Sequence, residues 1–285
     1  MGSEIEGILG RLRVGDRYPV RVIGAINVSP ESFYKGSIRV GYEEIAEAAK
    51  RMVDEGADII DVGGMSTAPY LKTWIEEEEE ERRIKLAVEA VRGAVNSPIS
   101  VDTSRYRPAK AAIDLGAEIV NDVRGLKNEP RLAELVAEHD LSLIVCASGI
   151  GRLREASEAP RAALKALKES LEIALRAGVD EQKIVIDPAI GFHRSTGLSW
   201  HLVDCSLLRG LRVLRELGRP ISVGISRKSF LGEITGRKDP EERLPASIAA
   251  EALAVIFGAH LIRTHDVAEA VDAIRVAEAV TGRRI

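Results

Sequence analysis

A single (β/α)8 barrel, an α/β fold, is what this 285-residue chain predicts. Three observations carry the prediction. Eight short apolar, β-rich runs recur along the chain. Segments with helical periodicity separate them. Several of those segments end in a glycine just before the next run. Unbroken apolar runs suit strands covered on both faces, as in a parallel sheet. Eight strand–helix units in about this length favour one closed barrel over two domains, so residues 1–285 are read as one domain. A doubly wound open sheet is the alternative. It would normally carry phosphate-binding glycines after its first strand, and here that loop reads "INVSPESF".

The strands are read, in order, at "RVIGAI", "ADIIDV", "PISVD", "AEIVND", "LSLIVCA", "KIVIDP", "PISVGIS" and "AHLIRT". Helical spacing marks "YEEIAEAAKRMVDEG", "IEEEEEERRIKLAVEAVRGAV", "APRAALKALKESLEIALRAG" and "VAEAVDAIRVAEAV". In the last, Val267, Ala270, Val271, Ile274, Ala277 and Val280 fall near one face. Gly56, Gly116, Gly178, Gly218 and Gly258 read as helix C-caps before short turns. Six consecutive acids, Glu76 to Glu81, open the second of these helices. There the macrodipole favours negative charge, and the run reads as a solvated face without chemistry.

Composition excludes several classes. The net charge is -4, which argues against a nucleic-acid binder. No apolar run approaches the ~20 residues that span a bilayer. The N-terminal stretch lacks the features of a secretory signal, and the two cysteines, Cys146 and Cys205, have no CxxC spacing. A reducing cytoplasm is therefore the expected location. Charged residues make up 29% of the chain, a composition that hints at a heat-adapted source.

The C-terminal ends of barrel strands converge on one rim, where barrel active sites are built. Read in order, those ends carry Asn27, Asp61, Asp102 with Thr103, Asn121 with Asp122, Cys146 with Ser148, Asp187, the cluster Ser226 to Ser229, and Arg263 to Asp266. Any one of these has a plainer role. Asp and Asn at strand ends often cap the next helix or hold a turn, and Asp266, just before the last helix, reads as such a cap. Cys146 reads as packing, and His193 and His201 as surface or loop residues rather than ligands. Strand alternation turns Arg227 away from Lys228, toward an ion pair. No Cys/His metal cluster, P-loop or G-x-S-x-G elbow is present.

Two chemical groups remain. Arg263, His265 and Asn27 suit an anion, since arginine grips phosphate through a planar fork. Asp102, Asn121, Asp187 and Lys228 suit a flat nitrogen heterocycle. A carboxylate accepts paired N–H bonds, an amide matches a neighbouring donor–acceptor pair, and a lysine keeps nearby carboxylates ionised.

The ordered motifs "INVSPESF", "GADIIDVGGMSTAP", "ISVDTSR", "GAEIVNDVRGL", "IVIDPAIGF", "VGISRKSFLGEITGR" and "IRTHDV" resemble the dihydropteroate synthase family, from about Val22 to Val280. The resemblance implies a pterin-binding barrel that joins a 7,8-dihydropterin-6-methyl diphosphate to an arylamine, releases diphosphate and uses Mg2+. It places Asp102, Asn121, Asp187 and Lys228 on the pterin. It places Asn27, Arg263 and His265 at the diphosphate, with Asn27 near the metal. Thr67, Pro69, Phe192 and Ser229 fall along the arylamine. Asn27, Lys228, Arg263 and His265 are the catalytic candidates. The family is often dimeric, so a homodimer is expected on resemblance alone. Related pterin-dependent methyltransferases that act with a corrinoid partner share the Asp and Asn positions, but "SRKSFLG" and "RTHDV" resemble the synthase. A non-catalytic pterin-binding paralogue is the other alternative.

The chain departs from the family where the second substrate would lie. Met65 and Ala68 stand where the family commonly has glutamate and arginine, Ala189 replaces a glycine, and the fifth strand ends in "VCASG" without the usual methionine and histidine. The pterin set is intact and the second-substrate wall is altered, so Ala68 and the fifth-strand change, together with the heat-adapted composition, motivate the expectation of a bulkier arylamine used with a modified pterin.

Overall fold

The computed structural model describes residues 4–29, 34, 36, 39, 41–66 and 73–282. An antiparallel hairpin comes first, β1 (Glu6–Leu9) and β2 (Leu12–Gly15). The barrel strands follow: β3 (Arg21–Asn27), β4 (Ile59–Gly63), β5 (Ile99–Asp102), β6 (Ile119–Asp122), β7 (Ser142–Cys146), β8 (Ile184–Asp187), β9 (Ser222–Gly224) and β10 (Leu261–Thr264). They are the eight runs expected from the sequence. All are parallel, in the order β8-β7-β6-β5-β4-β3-β10-β9. A parallel bridge between Ile186 and Ile221 joins β8 to the approach of β9 and closes the barrel.

Among the described residues ten helices connect the strands: α1 (Tyr42–Asp54), α2 (Glu77–Ala94), α3 (Tyr106–Asp114), α4 (Arg131–Glu138), α5 (Ala159–Arg176), α6 (Trp200–Arg209), α7 (Leu211–Leu214), α8 (Ser229–Thr235), α9 (Leu244–Ile256) and α10 (Val267–Thr281). The five glycines expected to close helices all have positive φ. α10 buries Val267, Ala270, Ile274 and Ala277, but Val280, expected on the same face, is 75% exposed. The acidic run of α2 is solvated only in part. Glu80 is buried and accepts hydrogen bonds from Thr103 Oγ1 (2.5 Å) and Arg105 Nη1 (2.9 Å). Helical periodicity turns this one glutamate inward among its exposed neighbours.

Side chains alternate along each strand, and this decides what lies where. One set faces the helices, for example Val22, Ile60, Val101, Val145 and Ile186. The other faces the barrel axis. Near the N-terminal ends of the strands that inner set is apolar: Ile23, Ile59, Ile119, Ile144, Val185 and Leu261 pack with Leu9 and Val14 of the hairpin. The hairpin, which sequence patterning did not foresee, thus stoppers the lower end. Gly10 N donates to Ser142 Oγ (2.9 Å), and Asp16 accepts two bonds from Arg215 (2.8 Å each) and one from Ile5 N (2.9 Å). Burial works against the Asp16 charge, but the bonds from Arg215 and His260 outweigh it and hold its carboxyl far below the usual range.

Candidate active site

One pleat above the apolar layer, the inner side chains become polar. Ile59 is followed two residues on by Asp61, Ile119 by Asn121, Val185 by Asp187 and Leu261 by Arg263. Register sets them side by side: Asn27 pairs with Gly63, Gly63 with Asp102, and Asp102 with Asn121. Six of the sequence-predicted residues, Asn27, Asp102, Asn121, Asp187, Lys228 and Arg263, therefore share one rim. His265 follows β10, Ser229 opens α8, and Phe192 lies in the loop after β8. Thr67 and Pro69, like Ala68, lie outside the described residues.

Arg263 joins the two groups that residue chemistry kept apart. Its Nε donates to Asp61 Oδ2 (2.6 Å) and its Nη2 to Asp102 Oδ2 (3.1 Å). Asn121 Nδ2 also reaches Asp61 Oδ2, at 3.4 Å. Asp61 is fully buried and is the residue that sequence reasoning listed at a strand end without giving it work. Its partner is 202 residues away, so only its inward register, two residues after Ile59, could have flagged it. Burial pushes Asp102 up to about 7, with Arg263 opposing and Asp61 adding to the rise. Burial also works against the Arg263 charge, but Asp61 and Asp102 override it and hold the guanidinium protonated. Asp102 Oδ1 is buried without a hydrogen-bond partner among the described residues.

The second pair is Asp187 with Lys228. Asp187 Oδ1 accepts from Ala189 N at 2.7 Å. Lys228 Nζ donates to the carbonyl of Ile190 and lies 4.3 Å from the centroid of the Phe192 ring. Burial pushes Asp187 up to about 6, opposed by Lys228. Burial pushes Lys228 down to about 8, opposed by Asp187. Gly191 makes this approach possible: it sits at φ +90°, and a Cβ there would fall 2.6 Å from Lys228 Cδ. Asp204 of α6 accepts from Gly191 N (2.7 Å) and fixes the turn from below. Ala189, where the family has glycine, is held left-handed at φ +57°.

Arg227 and Lys228 diverge as alternation requires. Arg227 is buried at φ +59° and forks onto Asp266, Nε to Oδ2 at 2.8 Å and Nη2 to Oδ1 at 2.6 Å. Asp266 stands at the N-cap position of α10 but makes no side-chain cap bond, because its carboxylate is committed to Arg227. Phe230 and Leu231 are buried and anchor the loop. His193 is also buried rather than on the surface: its Nε2 donates to Pro188 O (2.9 Å), which ties the loop after β8 back to its own start. Burial lowers its pKa. Trp74 is 70% exposed beside Arg105, whereas Trp200 stacks under Arg194, whose guanidinium lies 3.7 Å above the ring centroid. Arg194 Nη2 in turn donates to Ser229 Oγ (2.5 Å).

Beside this rim is a cavity of 250 Å³ lined by Val123, Arg124, Ala147, Ser148, Phe192 and Thr196, among others. It lies where "VCASG" ends β7 with small side chains. Cys146 is buried in the core beneath it, and burial pushes its thiol up.

Comparison with known proteins agrees with this geometry. Residues 23–265 match the family described as pterin binding enzyme. The dihydropteroate synthase of Bacillus subtilis is 35% identical over 246 residues, 86% of this chain and 83% of that protein. The Escherichia coli K12 enzyme is 36% identical over 265 residues, 90% of each chain. Similar solved structures include the Xanthomonas albilineans dihydropteroate synthase with 4-aminobenzoic acid, at 35% identity and TM-score 0.83, covering 98% of this chain and 99% of that one. The Yersinia pestis enzyme in a sulfonamide drug complex superposes with TM-score 0.86 at 28% identity, covering 98% and 100%. The barrel, its polar rim and these likenesses converge: the chain belongs to the dihydropteroate synthase family of pterin binding enzymes.

Proposed function

We propose that this transferase condenses a 7,8-dihydropterin-6-methyl diphosphate with an arylamine, 4-aminobenzoate or a substituted analogue, and releases diphosphate. The observation that carries the reading is the ring of Asp102, Asn121, Asp187 and Lys228, with Arg263 bonded to Asp61 and Asp102, beside Asn27 and its partner His265. Carboxylates buried this deeply are costly unless matched by donors, and a pterin's amino and ring N–H edge supplies them. In this reading Asp187 and Asp102 accept from the ring, Asn121 matches a neighbouring donor–acceptor pair, and Lys228 donates to a ring oxygen or nitrogen.

The reaction breaks the bond between the pterin methylene carbon and the diphosphate oxygen, whose electron pair leaves with the diphosphate. The arylamine nitrogen forms the new bond to that carbon and then loses a proton. Diphosphate carries the developing charge, so Arg263, Asn27 and His265 at the leaving-group end assist departure by electrostatic preorganisation. The electron-rich pterin supports the cationic carbon, so no protein nucleophile is required. Phe192 and Ser229 line the acceptor side in this reading.

Mg2+ is part of the same proposal. Among the described residues no group of three or more His, Cys, Asp or Glu is placed to hold a metal ion. That fits a Mg2+ carried chiefly by water and substrate phosphates, to which the protein adds a single oxygen ligand. Asn27 would be that ligand, and the ion would neutralise diphosphate charge.

The cavity beside Ala147 and Phe192 favours a second statement about the acceptor. An arylamine with a substituent larger than a carboxylate fills space that a bare 4-aminobenzoate leaves. The test is a diphosphate-release assay with the pterin diphosphate and a panel of arylamines. Release with at least one arylamine is expected. Pterin binding without release from any of them would instead indicate the non-catalytic paralogue, and methyl transfer to a corrinoid the methyltransferase. Turnover of 4-aminobenzoate equal to the best substituted amine would remove the statement about a larger acceptor.

A further inference from the structure

The two segments most characteristic of this chain, "SRKSFLG" and "RTHDV", interlock side chain to side chain outside the pterin set. Asn27 Nδ2 lies 3.2 Å from His265 Nε2. An amide nitrogen can only donate, so Nε2 accepts and the imidazole proton sits on Nδ1. His265 Nδ1 lies 3.0 Å from Ser226 Oγ, which also accepts from His265 N (3.3 Å). With both acceptor positions used, the Ser226 hydroxyl donates to Asp266 Oδ2 at 3.4 Å. Asp266 cannot turn away, because Arg227 grips both its oxygens. Arg227 is itself held from several directions. Its N donates to Ser247 Oγ (2.8 Å), its Nη1 to Glu241 O (2.6 Å), and its carbonyl accepts from Arg243 Nη1 (2.9 Å). Such bracing explains how a non-glycine residue is kept at φ +59°.

We propose that Arg227, Asp266 and Ser226 form a positioning relay that fixes His265 as the Nδ1–H tautomer and thereby sets the Asn27 carboxamide, nitrogen toward His265 and oxygen toward the mouth. The Asn27 oxygen lies on the Gly63 side, where a Cβ on Gly63 would sit 3.7 Å from Asn27 Oδ1 and 3.7 Å from Asp102 Cβ. The relay therefore presents an oxygen, not an N–H, on the Gly63 side of Asn27. None of Ser226, Arg227 and Asp266 touches substrate in this arrangement. They act through His265 and Asn27, which rests on the reading of Asn27 as a residue of the diphosphate end.

The relay is tested by 15N-imidazole correlation spectra of the ligand-free protein, wild type against Ser226→Ala and Ser226→Thr, alongside calorimetric titration with inorganic diphosphate plus Mg2+. The wild type is expected to show a His265 signal protonated at Nδ1. Ser226→Ala is expected to mix the tautomers and to weaken diphosphate binding about tenfold, with Ser226→Thr restoring both. Asp266→Asn provides a second route, predicted to mix the tautomers in the same direction. A wild-type signal protonated at Nε2 overturns the relay, as does a Ser226→Ala signal unchanged from wild type. Absence of diphosphate binding by the wild type overturns the reading of Asn27 instead, since the tautomer signal is read without ligand.

Discussion

The two ends of this barrel are made by the same strands and behave as different materials. At the lower end Ile23, Ile59, Ile119, Ile144, Val185 and Leu261 close over Leu9 and Val14. At the upper end, one pleat away, Asp61, Asp102 and Asp187 are buried beside the half-buried Lys228 and Arg263. A step of two residues, roughly 6.6 Å, separates a dry core from a charged site. The difference teaches how the chain keeps a costly arrangement. Burying charges is a weak or negative contribution to stability, so the apolar layer and the helices outside must carry the fold.

That division can be broken most strongly at Arg263. Replacing it with methionine leaves Asp61 and Asp102 buried without their counter-ion, and about 3–5 kcal/mol of stability should be lost, together with diphosphate release. Denaturant unfolding and the release assay read both. Loss of activity without loss of stability would mean that the fold does not depend on this pairing. Asp187→Asn comes next. It should weaken pterin binding by about 2–5 kcal/mol, measured by calorimetry, because a buried charged acceptor is lost. Lys228→Ala should weaken the same binding with little change in melting temperature, and the reverse result would make Lys228 a structural residue.

The lower end offers the mirror experiment. Leu9→Ala should cost about 2–5 kcal/mol of stability through the cavity it leaves, with kcat/KM changed less than twofold at a temperature where the variant is folded. A fall in kcat/KM without destabilisation would show that the two ends are not separable.

Glu251 sharpens the comparison through pH. It is buried on α9, and burial pushes its carboxyl up to about 8. An unfolded glutamate titrates near 4.3. The folded state thus holds a proton that the unfolded state has lost between those values. The contribution of this group is complete below about 4.3 and is lost as pH rises toward about 8. Glu251→Gln should flatten the decline in unfolding free energy between pH 5 and 8, and an unchanged slope would contradict a protonated Glu251. The smallest effect is at Ala189. Ala189→Gly should relieve the left-handed backbone and stabilise by up to about 1 kcal/mol, without altering the N–H that Asp187 accepts.

Much of this was legible in sequence because it is local. Unbroken apolar runs marked all eight strands, glycines marked helix ends, and the polar residue at each strand end named Asn27, Asp102, Asn121, Asp187, Lys228 and Arg263. The opposed directions of Arg227 and Lys228 followed from alternation alone. The misreadings share a cause. Asp266 looked like a cap and Glu80 like one of six solvated acids, because each was judged by its neighbours in the chain. Their actual partners, Arg227 and Thr103 with Arg105, come from elements that meet only when the barrel closes.

By itself the sequence determined the alternation of strand and helix, the residues that reach the rim, and the family to which they belong. These follow from backbone periodicity and side-chain chemistry, which act over a few residues. The tertiary structure alone decided that a hairpin stoppers the lower end, that Asp61 binds Arg263 across 202 residues, and that Ser226 and Asp266 stand behind His265 and Asn27. Those depend on register between strands and on where the closing strand lands, and a linear pattern carries no distance between residues that far apart.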